Sequence, residues 1–124
     1  MARILVAEDE EQLRGLIARV LLENGHDIVT TADGAAALET LRSTNGHFDL
    51  LLTDIKMPVM DGIALALAVG RDYPDVIILL MTGYADQRER AHGLGALIHD
   101  VIPKPLTVAG VRDAVAEALT SARR

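Results

Sequence analysis

The apolar residues of this chain fall into two alternating patterns. Short runs rich in Val, Ile and Leu occur at Ile4–Ala7, Ile28–Thr31, Leu50–Thr53, Val76–Met81 and Ile98–Ile102. Most of them do not alternate with polar residues, which marks strands buried on both faces. Between them lie stretches of helical period. Leu13, Leu16, Ile17, Val20 and Leu21 recur at three- and four-residue steps and form one apolar stripe, stopped by Asn24-Gly25. Ala35–Leu41 reads as a second helix, followed by a turn at Gly46. Ile63–Arg71 reads as a third, ended by Asp72-Tyr73-Pro74, and Asp86–Leu94 as a short, polar fourth. Val108, Val111, Val115 and Leu119 make the stripe of a fifth, with Thr107 as its N-cap and Gly110 weakening its first turn. Five strands alternating with five helices predict an α/β fold: a doubly wound parallel sheet with helices on both faces.

Composition narrows the class. At 124 residues the chain is the size of one domain, expected over 1–124 with no output domain after the last helix. It has no cysteine, which excludes disulfides, thiolate metal sites and a cysteine nucleophile. The longest apolar run is Ile63–Val69, far short of the roughly 20 residues of a membrane helix. A cytoplasmic protein that binds no membrane is expected. The net charge of −6 disfavours nucleic acid. Three aromatic residues, Phe48, Tyr73 and Tyr84, are too few for a base-stacking platform and argue against a flavin site.

In an open α/β sheet the functional crevice lies at the carboxyl ends of the strands. There the sequence places Glu8-Asp9, Thr53-Asp54, Thr82-Gly83 and Pro103-Lys104-Pro105. Packed carboxylates repel one another, and a hard divalent cation removes that conflict. Such a metal neutralises an incoming phosphoryl group so that a carboxylate can attack it. A lysine and a threonine hydroxyl can hold the remaining phosphoryl oxygens. Three carboxylates, one hydroxyl and one ammonium on one edge thus suit the formation of an aspartyl phosphate.

Four segments, in order and at the right strand ends, carry a family resemblance. They are Val6-Ala7-Glu8-Asp9-Glu10, the run from Asp49 through Asp54 to Asp61-Gly62, Met81-Thr82-Gly83-Tyr84, and Lys104-Pro105. The sequence resembles the receiver domains of two-component response regulators over essentially its whole length. That resemblance implies a flavodoxin-like sheet of order 2-1-3-4-5, as in the chemotaxis receiver. It implies Asp54 as phosphoacceptor and Glu8, Asp9, Asp54 and the backbone carbonyl of Lys56 around Mg²⁺ or Mn²⁺. Thr82 and Lys104 would bind the phosphoryl oxygens, and Lys104-Pro105 would be a cis peptide. Lys56 and Tyr84 would flank the site and slow autodephosphorylation, and Pro105 would border it. The implied partners are a sensor histidine kinase or histidine phosphotransfer protein and a downstream protein target, with the chain a monomer or weak dimer. The chain would catalyse its own phosphotransfer and dephosphorylation, and no other reaction.

The chain departs from the family pattern at Val101, where most receivers carry an aromatic switch residue. Single-domain regulators resembling the cell-cycle proteolysis adaptors of alphaproteobacteria also lack the aromatic there. As an isolated residue, Val101 reads as a core valine of the last strand. Output would then run through the face of the fourth helix, fifth strand and fifth helix, as a relay shuttle or an adaptor. A binding module indifferent to phosphorylation is the alternative on the same fold. A phosphohydrolase is disfavoured because Asp54 is followed by Ile55-Lys56 and not by a second acid two residues on. A flavodoxin-type electron carrier is disfavoured because Glu8-Asp9-Glu10-Glu11 would repel a phosphate. His26, His47, His92 and His99 lack metal-ligand spacing and are expected at the surface.

Overall fold

A computed structural model describes residues 2–83 and 93–122. The elements are β1 (Arg3–Ala7), α1 (Glu11–Glu23), β2 (Asp27–Thr31), α2 (Gly34–Ser43), β3 (Leu50–Asp54), α3 (Gly62–Asp72), β4 (Ile77–Thr82), β5 (Asp100–Pro103) and α4 (Val108–Ala122). All five strands are parallel, in the order β2-β1-β3-β4-β5. The expected sheet is therefore present, with four helices among the described residues. The polar helix expected over Asp86–Leu94 falls, except for Gly93 and Leu94, outside them.

Period-two alternation divides the core into two layers. On β3, Leu51 faces a cluster with Leu41, Leu65 and Val69 from α2 and α3. Leu50 and Leu52 face the opposite cluster with Ile17, Leu21 and Val115 from α1 and α4. Every residue of β3 is buried, which is why its run shows no polar alternation. The strand at the centre of the sheet thus delivers Asp54 from a rigid base.

The boundaries shift where turns claim a backbone group. Val76, expected at the start of the fourth strand, instead closes a turn through its N–H to the Tyr73 carbonyl at 3.1 Å. The last strand begins at Asp100, two residues late, because Leu97 and Ile98 both donate to the Leu94 carbonyl in a turn. Leu16, expected in the buried stripe of α1, is 41% exposed. It sits at the flank of the helix, beside Leu13, Pro105 and Leu106.

Side chains set the helix starts. Asp33 accepts from the Ala36 N–H and Asp61 from the Ala64 N–H, each at 2.8 Å. Thr107 accepts from the Gly110 N–H at 2.9 Å, as expected for its N-cap role. Gly62, the first residue of α3, lies so close to the Asp54 carbonyl and Ile55 that a Cβ there would collide with backbone. No helix among the described residues is long and apolar enough to cross a membrane.

Candidate functional site

The carboxyl ends of β1, β3, β4 and β5 meet in an open cleft of about 760 Å³. Glu8, Asp9, Asp54, Lys56, Met57 and Lys104 are among its lining residues. Glu8 leaves β1 with its backbone held at both ends. Its N–H donates to the Thr31 carbonyl at 3.1 Å, and its carbonyl accepts from the Arg14 guanidinium at 2.9 Å. Its side chain turns inward and is fully buried. One carboxylate oxygen accepts from the Glu10 N–H at 2.9 Å and the other from Lys104 Nζ at 3.0 Å. Asp9, one residue on, is exposed.

Asp54 ends β3 with 6% of its surface exposed. Lys104 Nζ donates to its Oδ2 at 2.7 Å. The lysine is itself positioned from β4, because its N–H donates to the Thr82 carbonyl at 2.8 Å. Lys104-Pro105 is a cis peptide, as the resemblance implies. Thr82 is buried at the end of β4. After Asp54 the chain runs through exposed Lys56 and buried Met57. It then tightens around Val59, which takes a left-handed φ of 68° with the Met60 N–H bonded to the Pro58 carbonyl at 2.8 Å. A β-branched residue in this region is strained.

Oxygens of Glu8, Asp9 and Asp54 lie within 4.8 Å of one another. This donor set is hard and anionic, which suits Mg²⁺ or Mn²⁺. The electrostatics agree. Burial is the main force pushing the Glu8 carboxyl up to about 7, and the Asp54 charge adds to it. The bonds from Glu10 N–H and Lys104 oppose the rise without cancelling it. Burial pulls Lys104 down, but its bonds to Asp54 and Glu8 more than offset that and hold it above the ordinary lysine value. The lysine is therefore charged at neutral pH, and one cation serves two buried acids. A divalent ion beside the three carboxylates would relieve the charge crowding that remains.

Between about 4.5 and about 7 the folded, metal-free chain holds a proton that the unfolded chain has released. This contribution is destabilising as pH rises: stability declines across that window and levels off above it. Mg²⁺ binding needs the ionised acid. Melting curves are expected to show a growing Mg²⁺-induced stabilisation from pH 5 to pH 8. A stabilisation independent of pH would contradict the assignment of Glu8.

The structure brings Glu8, Asp9, Asp54, Lys56, Thr82, Lys104 and Pro105 to one edge. Lys104 differs from the simple expectation, since its ammonium bridges Asp54 and Glu8 directly. Val101, expected as a core valine, is only half-buried and packs against the layer formed with α2 and α3. Its N–H is taken by the Asp100 carboxylate at 2.8 Å. Tyr84 and His92 lie outside the described residues. His47 is exposed, whereas His26 and His99 are half-buried. His26 accepts from the Ala2 N–H at 3.1 Å, and His99 pairs with Glu117 on α4 at 2.7 Å. Arg14 went unnoticed in the sequence, and Thr53 was placed at its strand end without a role. The signals were a cation on the site end of α1 and a polar residue closing an apolar run.

The family model described as response regulator receiver domain matches residues 4–116. Response regulator receiver protein CpdR of Brucella abortus (strain 2308) is 42% identical over 85 residues, which are 68% of this chain and 69% of CpdR. Sensor kinase CckA of the same organism is 29% identical over 118 residues, 95% of this chain but 12% of the kinase. The solved receiver domain protein of Clostridium thermocellum superposes with a TM-score of 0.89, covering 99% of this chain and 98% of that one. At 22% identity this last likeness speaks for the fold. The site edge, the strand order and the family match converge: the chain belongs to the response regulator receiver domains of two-component systems.

Proposed function

We propose that this chain accepts a phosphoryl group on Asp54 and acts as a signalling switch through protein contacts. The donor is a histidine kinase or a histidine phosphotransfer protein. The observation that carries the reading is the Lys104 ammonium, held between Asp54 at 2.7 Å and Glu8 at 3.0 Å beside the exposed Asp9. A carboxylate so placed is accessible from the cleft and is flanked by positive charge.

In the transfer an Asp54 oxygen attacks phosphorus and the phosphorus–nitrogen bond of the donor phosphohistidine breaks. The imidazole nitrogen leaves with the bonding pair and takes up a proton. Glu8, Asp9, Asp54 and the Lys56 carbonyl are the groups that would hold Mg²⁺, whose charge neutralises the phosphoryl oxygens. Lys104 then passes from the acid pair to a phosphoryl oxygen, and the Thr82 hydroxyl bonds another. The new charge is thereby met by groups already in place, which is electrostatic preorganisation.

Output follows from a shift between two conformations that differ in affinity for a target. The exposed sides of β5 and α4 adjoin Lys104 through the cis turn and supply a candidate face. Return of the phosphoryl group to a histidine protein marks a relay. Retention of a target by one phosphorylation state marks an adaptor.

Beryllofluoride mimics a phosphoryl group on a carboxylate and provides the test. Mg²⁺ and beryllofluoride together are expected to raise the melting temperature of the wild type well beyond Mg²⁺ alone. Equal melting with and without beryllofluoride would favour a binding module that does not use phosphate.

A further inference from the structure

We infer that the buried Thr53 hydroxyl is a positioning group for the metal site, acting through the peptide that joins Asp54 to Ile55. The inference rests on the reading of Asp54 as a phosphoacceptor beside a metal. Thr53 follows three leucines on β3 and is 0% exposed. By strand alternation it shares a face with Leu51, in the apolar layer against α2 and α3. A hydroxyl there is costly to bury unless it is bonded.

Its bond is to the backbone leading out of the site. Thr53 Oγ1 donates to the Asp54 carbonyl at 2.9 Å. The other acceptor near it, Met57 Sδ at 3.9 Å, is weaker. The N–H of the same peptide, from Ile55, donates to the Met81 carbonyl at 3.1 Å. The 54–55 peptide is thus held at both polar ends. The Gly62 backbone closes on its carbonyl from α3, and the Gly62 N–H donates to the Ile55 carbonyl at 2.7 Å. The Asp54 carbonyl, the Ile55 N–H and the Ile55 carbonyl are thus all bonded, and within this set the Thr53 hydroxyl is the link made by a side chain. The orientation of that peptide sets the direction in which Asp54 leaves the strand. It also sets the path to Lys56, whose carbonyl is the proposed ligand. A valine fits the same space but leaves the carbonyl without its donor.

Calorimetric titration with Mg²⁺ on the full chain tests this, with Thr53→Val, Thr53→Ala and Thr53→Ser compared. Removing a group that orients a metal ligand weakens affinity by about tenfold or more. Val and Ala are expected to weaken Mg²⁺ binding about tenfold, and Ser to bind like wild type. With acetyl phosphate, the half-saturating Mg²⁺ concentration should rise for Val while the rate at saturating Mg²⁺ is largely restored. A merely structural threonine would lower the melting temperature of Val and leave its Mg²⁺ affinity unchanged, which would overturn the inference. So would a loss that follows the methyl group, with Ser weakened and Val normal. Should Val fail to fold, the contrast between Ala and Ser decides. A wild type that binds no Mg²⁺ would remove the phosphoacceptor reading itself, and this inference with it.

Discussion

Lys104→Met is expected to slow phosphoryl uptake from acetyl phosphate by about 10²–10³-fold, the usual cost of removing one preorganised group from a developing charge. Methionine keeps much of the length and the apolar stem but brings no charge. In the wild type the ammonium reaches Asp54 at 2.7 Å and Glu8 at 3.0 Å. Both acids are buried and the lysine side chain is 23% exposed, so water replaces the lost cation poorly. Removing one partner of a buried charge set typically costs about 3–5 kcal/mol. Here a proton can soften that cost. The Lys104 bond is one of the forces holding the Glu8 carboxyl down, so without it Glu8 rises further and stays protonated at neutral pH. The loss of the Asp54 contact is felt at both pH values, so the stability deficit should be smaller near pH 6 than near pH 8. Melting curves at the two pH values check the sign. An equal deficit at both would mean that Glu8 does not share the lysine.

Asp54→Asn is expected to abolish phosphoryl uptake while preserving the fold. An amide oxygen is a poor nucleophile and cannot yield a stable acyl phosphate, and an amide is a weak ligand for a hard cation. The asparagine oxygen can still accept from Lys104, so the bond that ties β3 to the end of β5 has a replacement. Charge crowding also falls. The Asp54 charge is one of the causes raising Glu8, and its removal lowers Glu8 toward the ordinary carboxylate value. Less ionisation strain remains in the metal-free variant above pH 7, so its melting temperature there should equal or exceed that of the wild type. The Mg²⁺ stabilisation should shrink. Uptake by this variant equal to that of the wild type would move the acceptor to another carboxylate of the cluster, Asp9 being the exposed one.

Much of the scaffold was legible because burial on both faces leaves a mark that needs no partner to be read. Leu50-Leu51-Leu52 is apolar throughout since β3 is covered above and below, and the order of acids at strand ends then follows from topology. What stayed hidden depends on distance across the fold. Lys104 meets Glu8 and Asp54 over separations of 96 and 50 residues, and no local pattern says that one ammonium will bridge both. Glu8 was legible as a strand-end carboxylate, but not its full burial, which stands because the Glu10 N–H and Lys104 satisfy its oxygens there. Leu16 shows the reverse: helical spacing alone cannot tell the centre of a buried stripe from its flank. Thr53 was visible as an anomaly in an apolar run, but its purpose needed the position of the Asp54 carbonyl.

Intact mass after incubation with acetyl phosphate, with and without Mg²⁺, tests phosphoryl transfer to Asp54 at its simplest. One phosphoryl group is expected on the wild-type chain, dependent on the metal and prevented by EDTA. An unmodified mass at saturating Mg²⁺, from a chain that melts cooperatively, would contradict it.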